Sequence, residues 1–353
     1  DTILNPDTAK LRSVSTYNYN TAIPPISTGV SIGYIDNSGK FSRFNEMINT
    51  QREGEPVIGE TSKPVPSLLP KDIDLLTNSR ENSIILAAKS NSTDCLVYGY
   101  KYFRVGGEQK QSAWFTWKMN NPIKYHFIID DEYYFLDTDN FLQKINLVQN
   151  DDPNFDQDNE NYIIHLDNWT RILGGQYNTS TQITSFIHGQ NSAITDWIDQ
   201  VTSPNGKLVI VDLNTASTRI ARYAECTVIN GDDFTVPGDW SLPSGHGEHY
   251  IGYLYDFQVN FPKFYVTKSE GQTLKYDSSA SLVLHRVKLN FGKVGLYSTT
   301  IKRLGKDDYT EVYESATLNE YNVDDAPYVD EDGVTIPIYD RNINTDLILK
   351  STH

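Results

Sequence analysis

The sequence predicts an all-β chain, with β-propeller-like blades followed by β-sandwich-like units and few short helices. Three observations carry that expectation. The chain holds 23 Tyr and 14 Phe but only two Met, and rigid aromatic side chains with one polar end suit sheet faces and subunit contacts. Its 22 Gly and 15 Pro stand among many Asn, Asp, Ser and Thr residues, the makeup of short strands joined by turns. Runs of period-two alternation recur at close spacing, whereas one segment alone shows a helical period.

With 353 residues the chain exceeds one ordinary core, so two or three compact units are expected. Thirty Lys and Arg against 46 Asp and Glu give a net charge of -16. That balance excludes a tight or sequence-reading nucleic-acid binder, which needs clustered cations, but not a surface that a polyanion slides past. Cys95 and Cys226 stand alone without C-x-x-C spacing, so neither a disulfide framework nor a thiolate zinc site is indicated. Both are expected to be small buried hydrophobes. The absence of about 18 consecutive apolar residues argues against membrane insertion. The opening Asp-Thr-Ile-Leu-Asn-Pro is neither a signal peptide nor a usual start, so the chain is expected to be part of something longer.

The first expected unit, residues 1–165, is propeller-like. Val30 to Ile35 ends in the turn cluster Asp36-Asn37-Ser38-Gly39, and Lys40 to Phe44 follows at hairpin distance. Residues 54 to 70 are rich in Pro, Gly, Ser and Lys and are expected to cross the surface as a loop. Ser83 to Ala88, Cys95 to Phe103 and Ser112 to Met119 form a meander in which Tyr98, Tyr100 and Tyr102 share a face. Tyr125 to Ile129, Tyr133 to Leu136 and Phe141 to Leu147 repeat the plan. Such strand triplets are the weak internal repeat expected of propeller blades.

Residues 149 to 160 turn Asn/Asp-rich and read as an exposed linker. Residues 166–250 are expected to be an inserted, mostly-β region with one short helix. There Ser192 caps a pattern placing Ile194, Trp197, Ile198 and Val201 on one face, stopped by Pro204 and Gly206. Lys207 to Leu213, Arg219 to Ile229 and Phe234 to Val236 have strand character. So do His249 to Val266, Ser281 to Asn290, Gly295 to Ile301 and Thr310 to Val312, so residues 251–353 are expected to form sandwich-like closing strands.

Candidate chemistry is sparse. His246, Glu248 and His249 lie within five residues and offer metal-ligating groups, but no fixed spacing supplies further ligands, so a loop before a strand is the preferred reading and no metal is assigned. Asp151, Asp152, Asp156, Asp158 and Glu160 offer hard oxygen ligands, yet the segment lacks the Gly and flanking helices of a calcium loop and reads as a solvated acidic loop. The acidic run Asp324, Asp325, Asp330, Glu331 and Asp332 reads the same way. No G-x-S-x-G elbow, P-loop or H-E-x-x-H occurs. No enzyme activity and no cofactor are therefore expected, although a carboxylate-pair glycan hydrolase is weighed as an alternative.

Four stretches, in order, resemble one family. Pro24-Pro25-Ile26-Ser27 leads into the aspartate-turn hairpin of Val30 to Phe44, and Val65-Pro66-Ser67-Leu68-Leu69-Pro70 precedes an apolar strand. Cys95 to Lys118 combines a Tyr-rich strand with Gln111-Ser112-Ala113-Trp114 and Trp117. Leu284-His285-Arg286-Val287-Lys288-Leu289-Asn290-Phe291 with Gly295 is followed by Thr335-Ile336-Pro337-Ile338 and Asn344-Thr345-Asp346-Leu347. The chain thereby resembles the tail nozzle, or tail tubular protein B, family of T7-like short-tailed bacteriophages. Family members are longer, and residues 171 to 250 resemble the family least.

The resemblance implies a homohexamer in the virion tail, with contacts to a tail adaptor protein and a tail fibre protein. It implies an axial channel that retains and then conducts double-stranded DNA. The acidic loop Asp151, Asp152, Asp156, Asp158 and Glu160 is the candidate channel lining, where negative charge would repel phosphate. A receptor-binding tail module is the other alternative. In such a setting the glycosylation-like triplets at Asn91, Asn168 and Asn178 are coincidence.

Overall fold

The computed structural model describes residues 20, 22–49, 56–105, 108–130, 132–147, 166–187, 207–212, 223–230, 233–241, 249–264, 266–270, 273–277, 281–291, 297–313 and 332–351. The chain is nearly all β, built of antiparallel sheets. It divides into two compact units, Asp1–Asn150 and Asp151–His353. The acidic linker predicted at residues 149 to 160 and the helix predicted from Ser192 to Val201 both lie outside the described residues. No described helix is long and apolar enough to cross a membrane.

Three sheets make up the first unit, each a meander of sequential strands. The first runs β1 (Ile26–Ser27), β2 (Ser31–Asp36), β3 (Arg43–Asn49) and β4 (Pro56–Glu60). The second runs β5 (Leu75–Ser79), β6 (Ile84–Ala88), β7 (Leu96–Val105) and β8 (Glu108–Lys118), and the third β9 (Ile123–Ile129), β10 (Glu132–Asp137) and β11 (Leu142–Asn146). The described strands thus number four, four and three, where the sequence pattern suggested triplets. Three strands escaped that pattern, the two-residue β1 among them. β4 lies inside the Pro- and Gly-rich stretch expected to be all loop, and its Pro56 opens an edge strand, where a missing amide donor is tolerated. β5 carries Thr77, Asn78 and Ser79, too polar for its alternation to register.

The second sheet is covered on both faces because its side chains alternate. Ile85, Ala87, Tyr98, Tyr100 and Tyr102 pack with Ile35 and Phe44 of the first sheet, together with Ile23, Leu69 and Ile73. Ile84, Leu86 and Val97 point the other way, into a core with Ile123, Tyr133 and Phe135 of the third sheet. The three tyrosines do share one buried face, as their spacing predicts.

Two hairpins repeat one device. Asp36 ends β2 and Asp137 ends β10; both carboxylates are fully buried, and both turn back on the chain. Asp36 Oδ1 accepts the Ser38 amide at 2.8 Å, and Asp137 Oδ1 accepts those of Asp139 and Phe141 at 3.0 and 2.9 Å. An aspartate at this position closes the turn with its own side chain, satisfying amides that the ladder leaves free.

The second unit begins with β12 (Asp167–Ile172), β13 (Gln176–Asn178), β14 (Ile183–Phe186), β15 (Leu208–Val211), β16 (Tyr223–Glu225), β17 (Thr227–Asn230), β18 (Asp233–Pro237) and β19 (His249–Tyr253). They form two four-stranded sheets, β12-β19-β15-β16 and β13-β14-β18-β17. Ile172, Leu208, Ile210, Ala224, Ile251 and Tyr253 from one meet Phe186, Phe234 and Val236 from the other, with Trp240 among them, so the pair packs as a sandwich.

The closing strands are β20 (Phe257–Asn260), β21 (Val266–Glu270), β22 (Thr273–Asp277), β23 (Val283–Phe291), β24 (Tyr297–Arg303), β25 (Tyr309–Tyr313), β26 (Asp332–Arg341) and β27 (Thr345–Ser351). β20-β27-β24-β25 form a sheet, and β21-β22 and β23-β26 are two-stranded ribbons. Ile301 and Leu347 of that sheet share a core with Ile336 and Ile338 of β26 and with Leu284, Val287 and Leu289 of β23.

Candidate functional site

Three surfaces and contacts carry charge or open apolar area in a way that bears on function. The first is a buried polar clasp between the first two sheets. Glu46 on β3 is 3% exposed. Its Oε1 accepts from Arg104 Nη2 on β7 at 2.7 Å and from Ser31 Oγ at 2.7 Å, and its Oε2 accepts from Thr61 Oγ1 at 3.0 Å. Arg104 Nη1 donates to Thr28 Oγ1 at 3.1 Å, and the guanidinium lies 4.5 Å from the Tyr102 ring centroid. Both carboxylate oxygens are occupied and the cation is stacked, so the pair fixes how the sheets meet. Asn78 of β5 and Arg80 in the turn after it add donations to the Ser27 carbonyl at 2.9 and 3.0 Å.

The second is the outer face of the third sheet. Cross-strand pairs place Tyr125, Phe127 and Ile129 of β9, Glu132, Tyr134 and Leu136 of β10, and Leu142 and Lys144 of β11 on that face. Phe127 and Tyr134 stack at 5.2 Å, and Glu132 bonds to both Tyr134 and Lys144. The inner face instead holds His126, whose Nδ1 lies 3.0 Å from the Tyr133 hydroxyl. Burial holds the His126 imidazole down at about 4 and pushes the Tyr133 phenol up.

The third is the β23–β26 ribbon. Its inward residues join the core, whereas Arg286 and Lys288 lie exposed on the other side, opposite Pro337 and Thr335. Among the described residues neither cation meets a carboxylate. The acidity of the chain is thus not uniform over its surface.

The residues singled out from sequence fare differently. His249 is fully buried: Nε2 sits 3.0 Å from the Trp240 carbonyl, Nδ1 3.7 Å from the Asp212 carboxylate, and the ring meets Trp240 edge-on. It belongs to the sandwich core, while His246 and Glu248 lie outside the described residues. So do Asp151, Asp152, Asp156, Asp158 and Glu160, and Asp324, Asp325, Asp330 and Glu331; Asp332 opens β26. Among the described residues no group of three or more His, Cys, Asp or Glu is placed to hold a metal. Cys95 and Cys226 are free thiols at the margins of two cores, half-buried where full burial was expected. Sequence reading missed the Glu46–Arg104 pair, since 58 positions separate the partners; a charged residue within an apolar-flanked strand was the available signal.

With this architecture in view, comparison with protein families matches the model described as bacteriophage nozzle protein over residues 1–353. The chain belongs to that family. No curated protein matches it. A nozzle-family protein is a structural component of the phage virion tail, and the contacts above are those of a structural part: sheets tied by a saturated ion pair, and outer faces left for other contacts.

Proposed function

We propose that this nozzle-family chain is of the T7-like tail tubular protein B kind and assembles as a homohexamer around an axial channel. The channel retains double-stranded DNA and then conducts it during ejection, while other surfaces hold the tail adaptor and tail fibre proteins. The observation that carries this reading is the family match over the whole chain. Its physical support is consistent with a conduit. Three successive meanders packed through aromatic-rich faces are compatible with propeller-like blades, an arrangement that would give rigid walls at low side-chain entropy cost. A net charge of -16 on each copy keeps a polyanion from adhering.

The acidic segment with Asp151, Asp152, Asp156, Asp158 and Glu160 is proposed to line the bore. Reversing these five charges to Lys should slow DNA ejection from assembled particles, and unchanged kinetics would remove the segment from the channel. The assembly itself is tested by electron microscopy of the purified protein and of isolated tails. Six-fold projections with a central hole are expected, and a laterally projecting trimer overturns the reading.

A further inference from the structure

We infer that the outer face of the third sheet, carrying Tyr125, Ile129 and Leu142, is a self-contact surface that docks end to end on the first sheet of a second copy of this chain. The inference rests on the ring reading above and names where that ring is held.

Continuity of the stack is the first argument. The second sheet is covered on both sides by faces rich in Tyr and branched aliphatics. Among the described residues the third sheet shares a core on its inner side alone, yet its outer side has the same composition. Tyr125 is 57%, Ile129 55% and Leu142 60% exposed, around the half-buried Phe127–Tyr134 stack. A face built like those that bind neighbouring sheets is suited to bind one more, at the same spacing of about 10 Å.

Charge points to the same occupant. Copies at -16 each repel over roughly a Debye length of 8 Å, so they can approach only where charge is locally cancelled. Among the face positions named above the charged residues are Glu132 and Lys144, and these pair with each other.

Area decides the mode of contact. The three most exposed side chains leave on the order of 350 Å² open, the size of the largest apolar patch on an ordinary monomer and below the ~800 Å² per partner of a stable pair. One such contact holds a dimer weakly; a closed ring, in which every copy both offers and receives it, gains from each closure. The other end of the stack offers a receiving surface. It is confined to one end of the first sheet's outer face, where Ile32 is 43% exposed, with Val30 50% exposed beside it and half-buried Met47 as its cross-strand partner, because Asp36 and Asn45 farther along that face are fully buried.

Mass photometry and sedimentation velocity of the full chain test this with Tyr125→Glu, Leu142→Glu and Ile32→Glu. Each should lower the oligomer fraction roughly tenfold at fixed concentration, with Tm within about 2 °C of wild type because the sites are exposed. The pair Ile32→Cys with Leu142→Cys should give a ladder of disulfide-linked multimers under oxidation. Rings that survive all three glutamates overturn the inference while leaving the ring reading intact. So does loss of assembly with the third-sheet variants but not Ile32→Glu, or a large fall in Tm without loss of mass. A wild-type chain that stays monomeric at every concentration, and in isolated tails, sinks the ring reading itself.

Discussion

Arg104 on the second sheet places its guanidinium 2.7 Å from Glu46 on the first, with side chains only 11% and 4% exposed. Desolvating two charges costs roughly what their attraction returns, so the intact pair adds specificity more than stability. Removing one partner is another matter. Arg104→Met strands a buried carboxylate and is expected to destabilise the first unit by about 3–5 kcal/mol, read as the urea midpoint at constant m. The double variant Arg104→Met with Glu46→Leu should recover most of that loss. Equal losses in single and double variants would show that packing, not the charge pair, joins the sheets there.

Gly99 on β7 lies beneath the ring of its cross-strand partner Phe115, and a Cβ built at position 99 would stand 2.0 Å from that ring. The aromatic ring fills the space the glycine leaves open, so a Cβ there forces the Phe115 ring to shift. Gly99→Ala is therefore expected to cost about 1–3 kcal/mol, and Gly99→Ala with Phe115→Leu to cost less than the single change. Thermal unfolding measures both, and a neutral single variant would mean that the sheet yields at this point.

Much of this architecture was legible because its signals are local. The Tyr98-Tyr100-Tyr102 alternation and the Asp36 and Asp137 turns lie within a few residues of what they organise. Period-two patterning and turn chemistry therefore located most strands of the first unit. β5 and β4 were missed because Thr77 and Asn78, or Pro56, hide the pattern; these strands are fixed by pairing with β6 and β3. His249 is weighed as a ligand because its sequence neighbours are a glycine-flanked His and a Glu, and is set aside as lying in a loop before a strand; its burial is decided instead by Trp240 and Asp212, which lie farther off in sequence. Sidedness, such as the open face at Tyr125 and Leu142, depends on which sheets stack and cannot be read from one strand.

His126 gives the first unit a pH dependence. Its neutral ring is buried against Tyr133, with a folded-state pKa of about 4 against about 6.5 when unfolded. The unfolded chain therefore binds the extra proton between these values. Stability is full above about pH 6.5 and is lost as pH falls toward 4, by about 3 kcal/mol in total. Urea midpoints should fall across that window in wild type and flatten with His126→Gln. A wild-type profile that stays level from pH 7 to 4.5 would show that the ring finds water or a carboxylate on protonation.

The exposed pair Arg286 and Lys288 on the β23–β26 ribbon bounds how far the chain departs from a non-adhesive surface. A conduit must not hold its cargo, and binding strength to duplex DNA scales with the number of phosphates neutralised, each contributing about 0.9 to the slope of log K against log salt. Two adjacent cations give a slope no steeper than about -2 per copy, and net negative charge weakens even that at low salt. Fluorescence anisotropy with a short duplex is expected to show binding that disappears near physiological salt, and Arg286→Glu with Lys288→Glu should abolish what remains. Folding should be unaffected, since both side chains point away from the core shared by Val287, Leu289 and Ile336. A slope steeper than about -5 per copy in the double variant would place an extended cationic surface elsewhere on the chain, and transit without adhesion would then need another physical basis.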